Sequence, residues 1–423
     1  MNGGLSMVEM KSGYKMTEVG VIPEDWEVKN VSESCLIKAR IGWQGLKKSE
    51  YMSSGDYLLI TGTDFDNGQV NWRTCAYVSK ARYEQDSNIK IRPQDILISK
   101  DGTIGKVAYL GMIPKAGTLN SGIFVIRAND RKIDQVFLSK IFMSFYFEDF
   151  LNRLVAGSTI NHLYQKDFVK FCFPLPNSEE QAAIATALSD VDSLISALTK
   201  KIEKKKAIKQ GLMQQLLTGK KRLPGFGEKW VEIELGQHSI MNSGGTPSTA
   251  NPEYYGGKIP FLSINDITNA GKFIYETEKT ITEEGLKNSS ARLFKKGTIM
   301  YAMYASVGKC AITKIRISCS QAILGINVDS TLDADFLYYY LVSIQDDVLN
   351  YGQTGTQTNL SKQIISSFIL NVPSSKAEQT AIANILSDCD SEIAALEEKR
   401  DKYKEIKQGM MQQLLTGKIR LIK

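Results

Sequence analysis

Few residues in this sequence of 423 amino acids have the types and spacings that enzymatic chemistry requires. The only two histidines, His162 and His238, are far apart in the chain, so a two-histidine metal site or a nucleophile–histidine pair would depend on a chance meeting in the fold. The glycine–lysine segments 102–107 and 307–310 lack the glycine spacing and the hydroxyl group of a phosphate-binding loop. No G-x-G-x-x-G dinucleotide motif and no Asn-Pro-Pro-aromatic methyltransferase signature occurs. We therefore expect a binding protein with no catalytic residues, metal or cofactor of its own.

The polar residues that could bind DNA form two sets, one in each half of the chain. Proteins that read DNA place hydrogen-bond donors and acceptors on short loops, with lysine or arginine nearby for the phosphates. The first set is Arg40, Gln44, Lys47, Lys48, Lys100 and Lys106. The second set, at corresponding positions, is Asn242, Ser243, Thr246, Ser248, Tyr301, Tyr304 and Lys309. For each residue taken alone, ordinary surface polarity is the competing explanation.

Length and composition predict a soluble protein of several domains. Hydrophobic residues make up 43% and charged residues 23%, which excludes a disordered or fibrous chain. The best apolar run, at 141–147, is far shorter than the ~18–20 residues of a membrane span, and no secretory signal is recognisable, so we expect a cytoplasmic protein. The six cysteines form no C-x-x-C pair and are expected to be reduced thiols. A net charge of +6 permits binding to a polyanion without establishing it.

A long internal repeat organises the chain. Residues 180–223 align without a gap with residues 378–421, and about 30 of roughly 44 positions are identical. Outside these blocks the echoes are fainter, as between Pro23–Trp26 and Gly227–Trp230. The sequence therefore predicts a duplicated unit, with the order globule, helix, globule, helix. The loops Gly157–Asn161 and Gly355–Asn359 are also retained in both copies; they could touch DNA, although we favour a framework role.

Each repeated block has the start, the end and the periodicity of a long helix. Hydroxyl, acidic and amide residues stand at the start, and Thr-Gly stands at the end. Between them, apolar residues recur at spacings of three and four with charged residues alongside, which is typical of a coiled-coil seam. The seam residues are Ile184, Leu188, Val191, Ile195 and Leu198 in the first block, and Ile382, Leu386, Cys389, Ile393, Leu396 and Tyr403 in the second.

The direction of helix pairing follows from the connection between the two blocks. About 40 residues make a rod of ~60 Å, which has little to bury against inside a domain whose radius of gyration is ~15 Å. We therefore expect the two rods to pair with each other. The second globule joins the end of one rod to the start of the other, so antiparallel pairing is required unless that globule spans ~60 Å. The prediction is a pseudo-two-fold arrangement.

Outside the helices, short apolar or alternating runs bounded by Gly, Asn, Asp and Ser predict strands, for example at 57–60, 299–301 and 323–328, and segments 135–154 and 334–349 have helical spacing. The fold class is α+β: two domains of mixed structure, 1–177 and 220–375, separated by two long helices, 178–219 and 376–423, that pair as an antiparallel coiled coil. The lysine-rich stretch 200–206 is interpreted as a solvated helix face, with a partner-protein contact or DNA binding as alternatives.

These features together resemble one family, the specificity subunits of type I restriction-modification systems, over nearly the whole chain. The features that carry the resemblance are Ile22–Trp26 at the start, the loop Gly157–Asn161, Pro174 and Pro176 before Glu180-Gln181, Gly225-Phe226 with Trp230, and the Gln-Gly-x-Met-Gln-Gln-Leu-Leu-Thr-Gly close of each helix. Two small departures exist, because the second globule lacks an isoleucine–proline start and the second helix follows Pro373 alone.

The resemblance implies that each globule is a target recognition domain that reads half of a split site in double-stranded DNA. The helices would set the spacing and dock methyltransferase subunits, two in number, with restriction-translocase subunits joining through the complex. S-adenosylmethionine, ATP and magnesium would belong to those partners. Two alternatives stay open: an enzyme whose active site is completed between the globules, and a coiled-coil scaffold without a role at DNA.

Overall fold

The computed structural model describes residues 12–155, 162–351 and 359–422. They divide into two compact units, one made of residues up to Leu198 together with those from Lys399 onward, and the other of Thr199–Glu398. Each long helix is therefore shared between the units. The predicted division into two domains and two separate helices stays a prediction, and the boundary between these units cuts across both helices.

The first unit contains thirteen of the described strands, five whole helices and one part of each long helix. The strands are β1 (Tyr14–Thr17), β2 (Gly20–Pro23), β3 (Glu27–Asn30), β4 (Cys35–Ala39), β5 (Tyr57–Ile60), β6 (Phe65–Asp66), β7 (Gln69–Val70), β8 (Ala76–Val78), β9 (Ile96–Ser99), β10 (Val107–Tyr109), β11 (Gly117–Leu119), β12 (Ile123–Ala128) and β13 (Cys172–Leu175). The helices are α1 (Val31–Ser34), α2 (Lys80–Glu84), α3 (Gln135–Phe142), α4 (Phe145–Val155), α5 (Gln165–Phe168) and the start of α6 (Ser178–Leu216). Short 3-10 turns lie at Gly42–Gln44, Lys48–Glu50, Gly62–Asp64 and Ser87–Ile89.

The main sheet of the first unit is antiparallel, with the strand order β10-β9-β12-β4. A smaller sheet, β11-β5-β8, lies against it through a shared core. Ile96, Leu97 and Ile98 of β9 are all fully buried, because both faces of the main sheet are covered. Alternate side chains of a strand point to opposite faces, so Ile96 and Ile98 join the core formed with α3 and α4, whereas Leu97 joins the core of the smaller sheet.

The second unit contains ten of the described strands and the remaining helices. The strands are β14 (Trp230–Glu234), β15 (Ser239–Ser243), β16 (Tyr255–Leu262), β17 (Phe273–Ile274), β18 (Lys279–Ile281), β19 (Ile299–Ala302), β20 (Cys310–Thr313), β21 (Ser318–Cys319), β22 (Ile323–Val328) and β23 (Ile369–Pro373). The helices are the end of α6, then α7 (Ile264–Asn269), α8 (Glu283–Lys287), α9 (Ala334–Ser343), α10 (Gln345–Tyr351), α11 (Lys362–Ser366) and the start of α12 (Lys376–Leu414), with 3-10 turns at Leu235–His238 and Pro252–Tyr254.

The two units share one topology. The main sheet of the second unit has the order β15-β22-β19-β20-β17, and its first four strands repeat β4-β12-β9-β10. The smaller sheet, β18-β16-β21, repeats β8-β5-β11, including the parallel pairing of its last two strands. The predicted internal repeat is therefore confirmed in the globules, where the sequence echo is faint, and the predicted mixed α+β class is confirmed as well.

Two predicted helices are each interrupted. The segment predicted at 135–154 forms α3 and α4, because the chain turns at Met143 and Ser144, where the Ser144 hydroxyl donates to the carbonyl oxygen of Ile141. The segment predicted at 334–349 forms α9 and α10, with the break at Ile344. Helical periodicity continued across both breaks and gave no sign of them.

Helix α6 is long and apolar enough over one 18-residue window to cross a membrane, which the sequence analysis did not predict. Two of its apolar residues, Ile184 and Leu188, are fully buried in the core of the first unit. Its Asp192 forms ion pairs with two lysines. One helix of this kind is weak evidence for a membrane span, because core helices of other proteins pass the same test of length and composition.

The six cysteines are free thiols, and four of them are buried. Burial raises the pKa of Cys35, Cys75 and Cys310 to about 12. These thiols are therefore protonated and unreactive at neutral pH, because the thiolate is the reactive form.

Candidate DNA interface and paired helices

In the second unit, the end of α6 pairs with the start of α12. Lys209 Nζ lies 2.5 Å from a carboxylate oxygen of Asp390, and Arg222, just beyond the end of α6, bonds Glu378 through two contacts of 2.7 Å. Lys209 precedes Arg222 in the chain, whereas its partner Asp390 follows Glu378. The end of α6 and the start of α12 therefore run antiparallel.

The first unit repeats this pairing with the roles of the helices exchanged. Lys407 of α12 lies 2.6 Å from Asp192 of α6, and Arg420 bonds Glu180 at 2.6 and 2.7 Å. The predicted antiparallel pairing is therefore confirmed within each unit.

The seam residues are buried to different degrees. Those that are buried are Ile184, Leu188, Leu198, Ile382, Leu386 and Ile393, and those that are half-buried are Val191, Ile195, Cys389, Leu396 and Tyr403. Ile184 and Leu188 belong to the core of the first unit, and Ile382 and Leu386 to that of the second. The expectation that the rods have little to bury against inside a domain was thus wrong for their first turns, which pack against the sheets and helices of the globules.

The Glu-Gln pair at each helix start has a defined structural role. Gln181 Oε1 accepts from the backbone N–H of Asp134 at 2.8 Å, and Gln379 Oε1 accepts from that of Asp333 at the same distance. Both amides also donate to the carbonyl oxygen of the preceding proline. The fully buried Glu180 accepts from the Trp26 indole at 2.9 Å in addition to its arginine. This motif therefore joins each helix to its globule.

Asp192 links α6 to two other elements, and we expect its replacement to destabilise the first unit. Its carboxylate lies 2.7 Å from Lys140 Nζ of α3 and 2.6 Å from Lys407 Nζ of α12, and the Lys140 side chain is only 8% exposed. In Asp192→Asn, the nearly buried Lys140 ammonium loses its counter-charge, which should lower the free energy of unfolding by about 2 kcal/mol. The measurement is urea unfolding with Asp190→Asn as the control, since Asp190 is exposed on the same helix. Equal stability of the two variants would contradict this account.

The loops that carry the DNA-binding candidates meet at one end of each main sheet, here called the loop edge. In the first unit it comprises residues 40–48, 100–106 and 120–122, because β4 and β9 end where β12 begins. Backbone bonds join these loops, including Lys100 N–H to the Gly122 carbonyl oxygen at 2.8 Å. In the second unit it comprises residues 244–248, 303–309 and 320–322, joined in the same way.

Most candidates of the first set are available on this edge. Lys47, Lys48 and Lys106 are exposed. Lys100 is half-buried, and its ammonium lies 5.2 Å from the centre of the Phe124 ring. Gln44 is buried, and its Oε1 has no hydrogen-bond partner among the described residues.

Arg40 has a structural role instead. Its side chain is buried, and its guanidinium donates to the Leu119 carbonyl oxygen at 2.9 Å, to the Thr118 hydroxyl at 3.0 Å and to Gln85 at 3.2 Å. A guanidinium that holds two elements together in the interior cannot also reach a base, so burial removes Arg40 from the DNA-contact candidates.

The second set also divides by exposure. Tyr304 and Ser248 are exposed, and Asn242, Ser243, Thr246 and Lys309 are half-buried. Tyr301 is fully buried in the core of its unit, which raises its pKa and leaves its hydroxyl without a partner in the described structure. Burial therefore removes Tyr301 as well.

Three polar residues on or beside the loop edge were missed by the sequence analysis. Gln321 accepts a hydrogen bond from the Thr246 hydroxyl, and Arg292 donates to Asn242 Oδ1 at 3.2 Å. In the first unit, Asp101 pairs with His162. The partners of each pair are between 50 and 75 residues apart in the chain, so no local signal could have identified them.

Two further predictions concern charge and loops. Lys205 and Lys206 of the lysine-rich stretch form ion pairs with Glu392 and Glu397, which supports the interpretation as a solvated helix face. The loop 157–161 and all but the last residue of the loop 355–359 lie outside the described residues. Among the residues that the structure does describe, no three potential metal ligands come together.

Comparison with known proteins gives one consistent family. Segments 23–210 and 227–408 both match the type I restriction modification DNA specificity domain. A putative type I restriction enzyme specificity subunit, MjaX of Methanocaldococcus jannaschii, is 26% identical, with 97% of each chain covered. The MjaVIII specificity subunit of the same organism is 27% identical over 95% of this chain and 94% of its own. The crystal structure of a type I S subunit from M. genitalium matches with a TM-score of 0.61 at 17% identity, covering 92% of this chain and 96% of the other.

Proposed function

Because the chain belongs to the family of type I restriction-modification DNA specificity subunits, we propose that it directs such a complex to a bipartite DNA site, each globule reading one half. The observation that carries this proposal is the pair of loop edges. Both units build the edge from the same strands in the same order, yet the residues displayed there differ. Two readers of one design with different side chains are suited to two different half-sites, so the site should be asymmetric.

The proposal assigns catalysis to partners. The chain itself acts as a non-catalytic subunit in the cytoplasm and binds double-stranded DNA and methyltransferase subunits, with restriction-translocase subunits joining through the complex. The long helices set the gap between the half-sites and provide the docking surface. If the chain were a coiled-coil scaffold without a role at DNA, it would have no need of two loop edges with the same architecture and different side chains.

The docking surface can be located from one face of each helix, here called the docking patch, whose residues are exposed or half-buried. In the second unit it comprises Ile208, Gly211, Gln214 and Gln215 of α6, and in the first unit it comprises Ile406, Gly409, Gln412 and Gln413 of α12. The isoleucines are 43% and 41% exposed. A side chain added at either glycine would meet nothing within 4 Å. Glycine costs a helix about 1 kcal/mol relative to alanine, and no contact with the described residues requires it here.

The two copies of the patch have stayed the same where other exposed positions have changed. An exposed side chain without contacts can usually change at a cost within ~0.5 kcal/mol. Accordingly, Leu194, Lys200 and Ala207 each correspond to a glutamate in α12, and all of these positions are exposed. From 208 to 220, in contrast, the only difference between the copies is a methionine in place of Leu212.

These observations favour close approach of another backbone to each glycine. We assign the patch to a helix of the methyltransferase subunit, with isoleucine as the apolar contact and the glutamines as hydrogen-bonding groups at the rim. One patch in each unit supports two methyltransferase subunits for each chain.

Exchange of one globule tests the proposed division of DNA reading. Residues 1–175 would be replaced by those of a relative with a different site, and the chimaera would be combined with the methyltransferase. Sequencing of methylated positions should show one altered half-site and one retained half-site, because each edge reads independently. The unmodified chain serves as the control, and alteration of both halves would contradict the division. Absence of sequence-directed methylation from the unmodified complex would reject the function itself.

A further inference from the structure

The geometry points to Tyr304, presented by the loop between β19 and β20, as a base-contacting residue that determines specificity in the half-site read by the second unit. This inference rests on the proposed function and names one side chain that carries out the reading. It is drawn from the shape of the loop, the exposure of the tyrosine and a comparison with the matching loop of the first unit.

The loop is held in a fixed position on the loop edge. The N–H of Gly308 donates to the Ala302 carbonyl oxygen at 3.1 Å, and the N–H of Ala302 donates to that of Lys309 at 2.8 Å, which closes the turn. The Ser306 hydroxyl lies 2.8 Å from that of Thr268, which ties the loop to α7. A reading residue needs such support, because small displacements remove directional contacts to bases.

The backbone beside Tyr304 is strained. Ala305 has φ of +58°, in the left-handed region, and it is the only described non-glycine residue of the second unit with positive φ. This conformation costs a residue with a Cβ roughly 1–2 kcal/mol. Ala305 is exposed, so burial of its own side chain does not offset the strain. Strain of this kind is concentrated at functional sites, where it positions a neighbouring group.

Tyr304 itself is a large aromatic residue left at the surface. It is 39% exposed, and no side chain in the described part of the chain bonds to its hydroxyl. An aromatic side chain at the end of a supported loop can make apolar contact with a thymine methyl group and can offer its hydroxyl to a base edge in the major groove.

The first unit has the same loop with a different tip. Gly105 and Lys106 make the same closing bonds with Ser99, at 2.8 and 2.9 Å, and Gly102 has φ of +68° at the position that matches Ala305. The residue that matches Tyr304 is Asp101, which is paired with His162. The frame of the loop is thus common to both units while its tip differs, as expected where the two units read different bases.

Substitution of Tyr304 tests this assignment in the complex of the full-length chain with its methyltransferase. The probes are duplexes that carry the mapped site and every single base-pair change in it. In Tyr304→Ala, we expect discrimination to fall about tenfold at one or two adjacent base pairs of the second unit's half-site, with the first half unchanged. Tyr304→Phe should keep most of the discrimination, because it keeps the ring.

Two further variants separate reading from folding. Ala305→Gly should preserve specificity and equal or exceed the parent in thermal stability, since glycine relieves the left-handed strain. Tyr275→Ala removes another exposed aromatic residue of the same unit and should leave specificity unchanged. Parent-like discrimination by Tyr304→Ala at every base pair would overturn the inference, and so would a uniform loss over the whole site. Failure of the parent complex to recognise any bipartite site would instead reject the proposed function.

Discussion

Replacing both Gly211 and Gly409 with leucine is expected to abolish methylation by the assembled complex while leaving the chain folded. Apart from the neighbouring backbone of the same helix, no described atom lies within 4 Å of a Cβ added at either glycine, so the new side chains should cause no internal clash. Leucine is also the better helix former, by about 0.5–1 kcal/mol at each position. Helical stability should therefore rise while a bulky side chain blocks the approach of the partner helix.

The measurement is binding of the purified methyltransferase to the chain, followed by methylation of a duplex that carries its site. We expect the affinity of the methyltransferase for the chain to fall by at least about 100-fold, because leucine side chains that hold the partner helix away from the docking patch remove all of its contacts there. The control is Thr186→Leu with Asn384→Leu, which adds the same bulk at exposed helical positions where the two copies differ. Parent-like binding by the double glycine variant would show that the docking patch is misassigned.

Removing the Arg420 guanidinium is expected to destabilise the first unit more than the loss of a surface ion pair would. Arg420 bonds Glu180, whose side chain is fully buried, and also bonds Asp25 at 2.7 and 3.0 Å. In Arg420→Ala, the Trp26 indole is the one side-chain partner that the Glu180 carboxylate keeps among the described residues. We expect the free energy of unfolding to fall by about 2–3 kcal/mol, somewhat less than for a fully buried pair, because Arg420 is 31% exposed.

The pH dependence of this loss gives a second measurement. Hydrogen bonding to Arg420 holds the pKa of Asp25 below its ordinary value of 3.8. A carboxyl group whose pKa is lowered by folding contributes stability above the unfolded pKa and loses it as the pH falls through the folded value. The stability difference between parent and Arg420→Ala should thus be full at neutral pH and should shrink below about pH 4.

Arg222→Ala offers the matched comparison in the second unit, where the arginine bonds the buried Glu378 and forms no second ion pair with a described residue that would correspond to Asp25. The stability lost in Arg222→Ala should depend less on pH in the acid range. A constant difference between parent and Arg420→Ala across the acid range would contradict the proposed role of the Asp25 pair.

The family resemblance and the repeat could be recognised in the sequence because their signals lie in neighbouring residues or recur at a fixed spacing. Both long helices begin at the predicted residue; the first ends three residues before the predicted position 219, and the second ends nine residues before the predicted position 423. The apolar period of a helix and its terminal signals lie within a few turns of each other, so they can be recognised in one segment. The strands at 57–60 and 323–328 were also predicted, and that at 299–302 was predicted without its last residue, because they are short apolar runs between turn residues.

The DNA-binding candidates could be predicted only as sets. The topology brings them to corresponding edges, as their matching positions in the repeat implied. Which of them are available depends on what packs over them. Arg40 and Tyr301 have the residue types of DNA readers and are buried in the interior of their units.

By itself, the sequence determined that the chain is duplicated, that its two copies end in long helices, and which family it resembles, since each of these is recorded in neighbouring residues or in a fixed offset. Only the tertiary structure decided which side chains reach the surface at the loop edge, that Glu180 finds its partner in Arg420, and that Ala305 holds a strained conformation beside Tyr304. The physical reason is that burial, ion pairing and backbone strain depend on contacts between segments that are distant in the chain, and no local pattern encodes those contacts.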